Sequence, residues 1–464
     1  MLISKSKPNG KLVESFIVDF LVRSIIDIRQ IGSTFIIYLY DDVDEGIQHV
    51  DPYFIYSLVI SGKDVDSIIK KISKSLNVNY EDISLVWTRW FKYYGILTPL
   101  LLYDKITDIY LTTSNFYAYH SDFGLCEVNV EFENTYVDFK STILKFVKHR
   151  LYRRVYSLKD FLEYVISRVA ERSSSPITTY MPMISVTDHE FRVRFSISIK
   201  PISEPYIHIR ILPRSPWTYG DLIVRDSVDF TQCALLWYLF DNKIPILIIG
   251  PMGSGKTSLA NAITFCSNPT LFKALIMDVD EMTLPGHNVV KLIERRSYGL
   301  GVKSITKSDL IAHALRIGAD YIIVNEVRTR DEVQAWIDAV TTGHGGVTTF
   351  HADSYDKLKM RLSNMIENSQ NILKEIAVVK MHTGTTIVEL DGVRICRKIR
   401  KVSDIYIPNS VEIPRDEIEY RREIIKNLVR KSYTQQLSII SEFYKRPEEV
   451  ITNIVYRSGA GGGI

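Results

Sequence analysis

Ile246-Leu247-Ile248-Ile249 runs straight into Gly250-Pro251-Met252-Gly253-Ser254-Gly255-Lys256-Thr257, and Ser258-Leu259-Ala260-Asn261-Ala262-Ile263 follows with helical character. No other feature restricts the chain so tightly. Strand, glycine-rich turn and helix in that order fit G-x-x-x-x-G-K-[ST] in its confirming context. Glycines without Cβ let successive backbone N–H groups turn inward onto an anion, and the helix opening at Lys256 adds the positive end of its dipole. The Lys256 ammonium is then placed for terminal phosphates, and the Thr257 hydroxyl suits Mg²⁺, a hard cation that prefers oxygen. Gly250, Pro251, Met252, Gly253, Ser254, Gly255, Lys256, Thr257 and Ser258 are therefore expected to hold a nucleotide with Mg²⁺.

One such unit does not use up 464 residues; at about 150 residues per domain, two to four domains are expected. With 46% hydrophobic and 24% charged residues the chain sits near globular averages, which excludes extended disorder and collagen-like classes. Lys+Arg 57 against Asp+Glu 54 leaves only +3, so nothing global points to a nucleic-acid coat protein. No apolar run approaches the ~20 residues of a spanning helix, and MLISKSKPNG lacks the layout of a secretory signal. A cytoplasmic location is expected. Cys126, Cys233, Cys266 and Cys396 stand singly, which supports neither a zinc knuckle nor a disulfide framework.

Residues 1–95 mix short strand-like and helix-like runs with acidic clusters and form a variable N-terminal region without readable chemistry. From 96 to 215 an α+β module is expected: strands at Pro99–Tyr103, Ile106–Leu111 and Tyr117–Gly124, a basic helix at Phe139–Tyr156, a second at Leu158–Arg172, and period-two strands within Ile184–Leu212. Pro213-Arg214-Ser215-Pro216-Trp217 is a turn cluster and a natural boundary. Beyond it, residues 216–464 begin with an amphipathic helix at Phe230–Phe240. Strands and helices then alternate to about Arg400, as a doubly wound α/β sheet requires. A charged helical tail follows from Glu412 and ends in a glycine run.

A phosphate loop binds; hydrolysis also needs an activated water and stabilised charge. Tyr321-Ile322-Ile323-Val324-Asn325-Glu326 is an apolar strand ending in a carboxylate, at the end of the sheet where ligands bind. Glu326 is placed either to orient the attacking water, to hold the metal, or simply to be solvated. Leu275–Met282 is a strand closing on Asp278, Asp280 and Glu281, and Thr342–Asp353 carries His344 and His351 around a short strand. Spacing alone leaves each histidine open between a structural group and a donor to the γ-phosphate.

The order of these segments resembles the secretion-superfamily ATPases, the motors of type II and type IV secretion, type IV pili and archaeal surface filaments. Asp278 and Glu281 fall on the family's acidic box, Asn325-Glu326-Val327-Arg328 on its Walker B segment, and Thr342–Asp353 on its histidine box. Asp108-Ile109, His120, Phe123-Gly124 and Asn129 are similar to the N-terminal module of archaeal members, whose two strand arginines match Arg192 and Arg210. The absent tetracysteine insertion also favours that branch. The resemblance implies a RecA-like P-loop domain behind the α+β module, with Lys256, Glu281, Glu326, His344 and His351 catalytic and Arg192, Arg210 and Arg328 as charge stabilisers. Thr257 and Glu326 would serve Mg²⁺. The family's glycine before the Walker B glutamate is Asn325 here, and the leading acid of its acidic box is Met277.

The same resemblance implies an ATP-hydrolysing homohexamer at the inner face of the cell membrane. It would pass work to an integral-membrane platform protein that assembles pilin-like filaments or expels a secreted substrate. The rival is a DNA-translocating motor of conjugation or packaging, for which Lys145–Arg154 and Arg394–Lys401 offer basic stretches. Such runs are more often solvated helix faces or contacts to an anionic membrane surface. A non-hydrolysing ATP-binding regulator is a third reading, prompted by Asn325.

Overall fold

The computed structural model describes residues 9–41, 64–129, 157–213, 215–286, 288–295, 303–390 and 393–445. It divides into two compact units: Met1–Leu212 with Val388–Arg397, and Pro213–Ile387 with Lys398–Ile464. The basic stretch Phe139–Tyr156, including Lys145–Arg154, and the terminal glycine run lie outside the described residues.

The first unit is built on a sheet of β1 (Lys11–Phe20), β2 (Val22–Ile31), β3 (Thr34–Asp41), β4 (Ile106–Thr112), β5 (Phe116–His120), β6 (Gly124–Asn129), β7 (Met183–Asp188), β8 (Val193–Ser198) and β9 (Tyr206–Ile211). Their spatial order is β1-β2-β3-β6-β5-β4-β9-β8-β7. Neighbours are antiparallel except β3 and β6, which run parallel from Phe35↔Cys126 to Tyr38↔Asn129. Residues 11–41 therefore continue the same sheet as residues 106–211. On β4 the odd positions Ile109 and Leu111 are buried while Asp108 and Tyr110 face outward, as a half-buried sheet demands.

Helix Leu158–Ser173 covers the buried face with Phe161, Leu162, Val165 and Val169. It starts where Ser157 and Asp160 exchange side-chain and backbone hydrogen bonds in a capping box. Pro99–Tyr103, expected as a strand, is instead the end of a helical segment spanning Thr98–Leu102 after a short 3-10 turn at Gly95–Leu97. Proline suits a first helical turn, Leu lacks the β-branch that favours strands, and burial of Thr98 through Leu101 leaves no alternation to read.

The second unit holds a seven-stranded sheet in the order β12-β11-β13-β14-β10-β15-β16. Its strands are β10 (Ile246–Ile249), β11 (Lys273–Met277), β12 (Val289–Ile293), β13 (Tyr321–Val324), β14 (Gly345–Phe350), β15 (Ala377–Leu390) and β16 (Val393–Tyr406). From β12 to β15 every pairing is parallel. The expected alternation of strand and helix is broken twice: among the described residues β12 follows β11, and β16 follows β15, with no helix between. Helix Phe230–Asp241 forms where expected but is not amphipathic: Cys233, Ala234, Leu236, Trp237, Leu239 and Phe240 are all buried. Helices Arg415–Lys426 and Tyr433–Lys445 close over it, with Ile425, Ile440 and Phe443 in the same core.

Candidate functional site

Parallel registry brings the chemistry to one edge of the second sheet. Ile249 pairs with Phe350, Val324 with Thr348, and Ile276 with Val324. Gly250, His351, Glu326 and Asp278 thus all follow strands that end side by side, at the carboxyl edge where α/β sheets bind ligands.

The loop after β10 needs its glycines for two separate reasons. A Cβ on Gly250 would lie 2.7 Å from Met381 O and 2.8 Å from Ser254 Oγ, too close for any side chain. Gly255 has φ +94, a left-handed conformation, as N-cap of helix Lys256–Phe265. That helix begins with no side-chain cap, whereas the helices opening at Leu158, Phe230, Lys307 and Arg330 each carry a capping box. Its first N–H groups are left for another acceptor. Ser254 Oγ, fully buried, has no hydrogen-bond partner among the described residues. Uncapped donors, a cradle that a Cβ would fill and an orphaned hydroxyl fit a bound phosphate chain.

Lys256 is 7% exposed and donates to Gly250 O and Pro251 O, each at 3.0 Å. Burial lowers its pKa, against the pull of Glu326. Its Nζ is also 3.4 Å from His351 Nδ1. His351 Nε2 in turn lies 2.8 Å from Glu326 Oε1, within ion-pair distance but off the hydrogen-bond axis, so this oxygen keeps a lone pair without an aligned donor. Burial first, then the charge of Lys256, holds the His351 pKa below its ordinary value. A neutral ring whose Nδ1 accepts from Lys256 carries its proton on Nε2, toward Glu326.

Glu326 Oε2 meets Arg328 Nη2 at 2.6 Å, and Arg328 Nη1 meets Asp278 Oδ2 at 3.0 Å. Arg328 is thereby committed to two acids of its own unit. Asn325 Nδ2 donates to Asp278 Oδ1 at 2.7 Å and to Glu281 Oε1 at 3.2 Å. Lys307, 1% exposed, was not apparent from sequence; its Nζ donates to Glu326 O at 2.6 Å and stands 3.3 Å from Glu332. Arg400 on β16 was seen only as part of a basic stretch, yet its Nε donates to Gly253 O at 2.9 Å. Nothing in their local sequence marks Lys307 or Arg400; their roles exist only once strands and helices meet.

His344 is not part of this group. It precedes β14 and sits at the amino edge of the sheet, where Gly345 pairs with Tyr321. Six strand residues at ~3.3 Å each separate it from His351. Its Nδ1 lies 3.1 Å from Ala339 O and 3.2 Å from Thr342 Oγ1, closing the end of helix Arg330–Thr341. The expectation that both histidines address one phosphate is corrected: strand length puts them at opposite edges.

Arg192 and Arg210 belong to the first unit. Arg210 Nε donates to Asp108 Oδ1 at 3.1 Å, an acid that His208 Nε2 also approaches at 2.9 Å. Arg192 has φ +52, a strained conformation for a residue with a side chain. Its Nε is buried without a hydrogen-bond partner among the described residues.

The profile of the family described as "Type II/IV secretion system protein" matches residues 139–442, more than half of the chain. The chain belongs to the type II/IV secretion system protein family. Among similar proteins, an uncharacterised protein of Methanocaldococcus jannaschii is 35% identical over 155 residues, 33% of this chain. The matched stretch spans 57% of that relative, so just over half its length is shared. A conjugal transfer protein of Rhizobium radiobacter is 29% identical over 220 residues, covering 46% of this chain and 66% of the relative. The solved ATPase DotB of Legionella pneumophila is 16% identical, with 81% of this chain and 92% of that chain covered and a TM-score of 0.41. As a type II/IV secretion system protein, the chain has the α/β core expected of it, with the phosphate loop following β10, an interior strand of the sheet. No helix among the described residues is long and apolar enough to cross a membrane.

Proposed function

We propose that this chain is an ATP-hydrolysing motor subunit. It works as a ring-shaped homohexamer and powers assembly of a type IV pilus-like filament, or secretion, through an integral-membrane platform protein. The observation that carries the reading is the convergence of the uncapped loop with Lys256, His351 and Glu326 at one sheet edge. The family to which the chain belongs supports the setting.

In this reading the loop N–H groups and Lys256 hold the phosphates of ATP. Thr257 and the acids Glu326, Asp278 and Glu281 suit Mg²⁺, which when bound neutralises phosphate charge. Glu326 orients the attacking water, and the neutral Nε2–H of His351 is directed to the same region. Lys256 leaves the carbonyls of Gly250 and Pro251 as phosphate oxygens arrive. Arg192 and Arg210 supply further positive charge once brought to the nucleotide, and Arg210 must loosen its hold on Asp108 to do so.

Steady-state phosphate release from the purified chain tests this. Lys256→Ala should abolish nucleotide binding, and Glu326→Gln should keep binding but lose turnover. A wild type that binds ATP without releasing phosphate would return the regulator reading. Light scattering with nucleotide should give six copies.

The conjugal transfer relative favours a second reading, a DNA-translocating motor. ATPase stimulation by DNA that falls steeply with salt would select it. Stimulation by anionic lipid vesicles with indifference to DNA would retain the first.

A further inference from the structure

At the carboxyl end of β13 stands a side chain that phosphate binding does not itself require. Asn325 is 1% exposed. Its Nδ2 donates to Asp278 Oδ1 at 2.7 Å and to Glu281 Oε1 at 3.2 Å, and its Oδ1 accepts the Glu326 N–H at 2.9 Å. The main chain is equally held: Asn325 N donates to Ile276 O at 3.0 Å, and Asn325 O accepts from Thr349 Oγ1 at 2.8 Å. One side chain thus joins the carboxylates of Asp278 and Glu281 to the backbone of Glu326.

Asparagine is chemically apt for that place. Two carboxylates drawn to one point repel each other, and a neutral amide offers each of them an N–H while its oxygen still accepts from the backbone. Aspartate has the same shape and no donor. Alanine and glycine have no side-chain hydrogen bonds to give. Arg328 adds the second tie, from the other oxygen of Asp278 to Glu326. Asp278, Glu281 and Glu326 are in this way held to one another by two side chains.

We propose that Asn325 is a positioning residue that fixes Asp278 and Glu281 relative to Glu326, so that the three acids meet the divalent cation of a bound nucleotide in one set arrangement. The proposal rests on the nucleotide-hydrolysing reading, but it concerns the cation more than the phosphates. Removing the amide leaves the loop, Lys256 and Thr257 untouched.

The test uses the full chain and three proteins: wild type, Asn325→Ala and Asn325→Asp. Two readouts are taken: phosphate release against ATP and Mg²⁺, and binding of Mn²⁺ with ADP followed by electron paramagnetic resonance. Asn325→Asp and Asn325→Ala should lower kcat and weaken Mn²⁺ binding by roughly 10–100-fold, as loss of a partner behind metal-binding groups does. KM for ATP should stay within a few-fold. Wild-type Mn²⁺ binding and turnover in both variants would overturn the proposal. If Asn325→Asp does not fold, Asn325→Ala alone decides. A wild type silent in phosphate release would sink the hydrolytic reading, while the Mn²⁺ comparison would still settle the role of Asn325.

Discussion

His351 Nε2 lies 2.8 Å from Glu326 Oε1. The two residues come from adjacent strands, β14 and β13, and the second nitrogen of the same ring faces Lys256. The imidazole therefore spans the distance from the loop lysine to the carboxylate proposed to orient water. His351→Ala should lower turnover by roughly 10–100-fold, the range of a misplaced catalytic group, with nucleotide affinity nearly unchanged. Fluorescent-nucleotide titration beside phosphate release checks both halves.

Gly250→Ala should be far more damaging to binding than its single methyl suggests. The added carbon would press on Met381 O and Ser254 Oγ at 2.7 and 2.8 Å, and overpacking of that kind costs about 1–3 kcal/mol. The loop, not the sheet, should yield. Calorimetric ATP binding should be lost while the melting temperature falls by only a few degrees.

His120 makes the first unit sensitive to acid. Burial lowers its pKa from 6.5 to about 4, although Asp122, Glu14 and Asp104 pull the other way, and Lys105 adds to the lowering. Its Nδ1 accepts from the N–H groups of Asp122 and Phe123, and Nε2 faces Tyr103 Oη at 3.2 Å. The unfolded chain takes up this proton near pH 6.5 and the folded chain only near pH 4. The stability from keeping the ring neutral is complete above 6.5 and drains away as pH falls toward 4, by about 3 kcal/mol at most. Urea midpoints at pH 7 and pH 5 should differ, and His120→Gln should narrow the difference.

Arg421 is fully buried, contacts Glu417, and stands 3.3 Å from Asp241. It also lies over the rings of Trp237, Tyr238 and Phe443. Tyr444 Oη donates to Asp241 at 2.7 Å from the second C-terminal helix. Arg421→Ala should cost about 3–5 kcal/mol, because it strands the carboxyl of Asp241 in the core. Burial already raises that carboxyl to about 6, against the pull of Arg421. Adding Asp241→Asn to Arg421→Ala should therefore restore part of the loss in chemical denaturation.

What could be read from the residues was what is contiguous in the chain. Gly250–Thr257 encodes its own turn and its own helix start, so strand, loop and helix stand where the pattern put them. Strand β13 ending at Val324 is equally local. Thr98–Leu102 was misjudged because a short apolar run buried on all sides has no period, and period is what separates strand from helix. His344 and His351 look equivalent in sequence; only the direction and length of β14 tell them apart. Lys307 and Arg400 reach Glu326 and Gly253 across 19 and 147 positions of chain, distances over which no local pattern carries information.

The parallel seam between β3 and β6 has a practical consequence for anyone trimming this protein. A fragment begun at residue 96 would lose three strands and strip Ile26, Ile28, Ile37 and Leu39 from the shared core. It would also bare a long strand margin rich in unmet hydrogen bonds, the usual seed of aggregation. Expression of the N-terminal half should start ahead of Lys11, or the product will be recovered as precipitate.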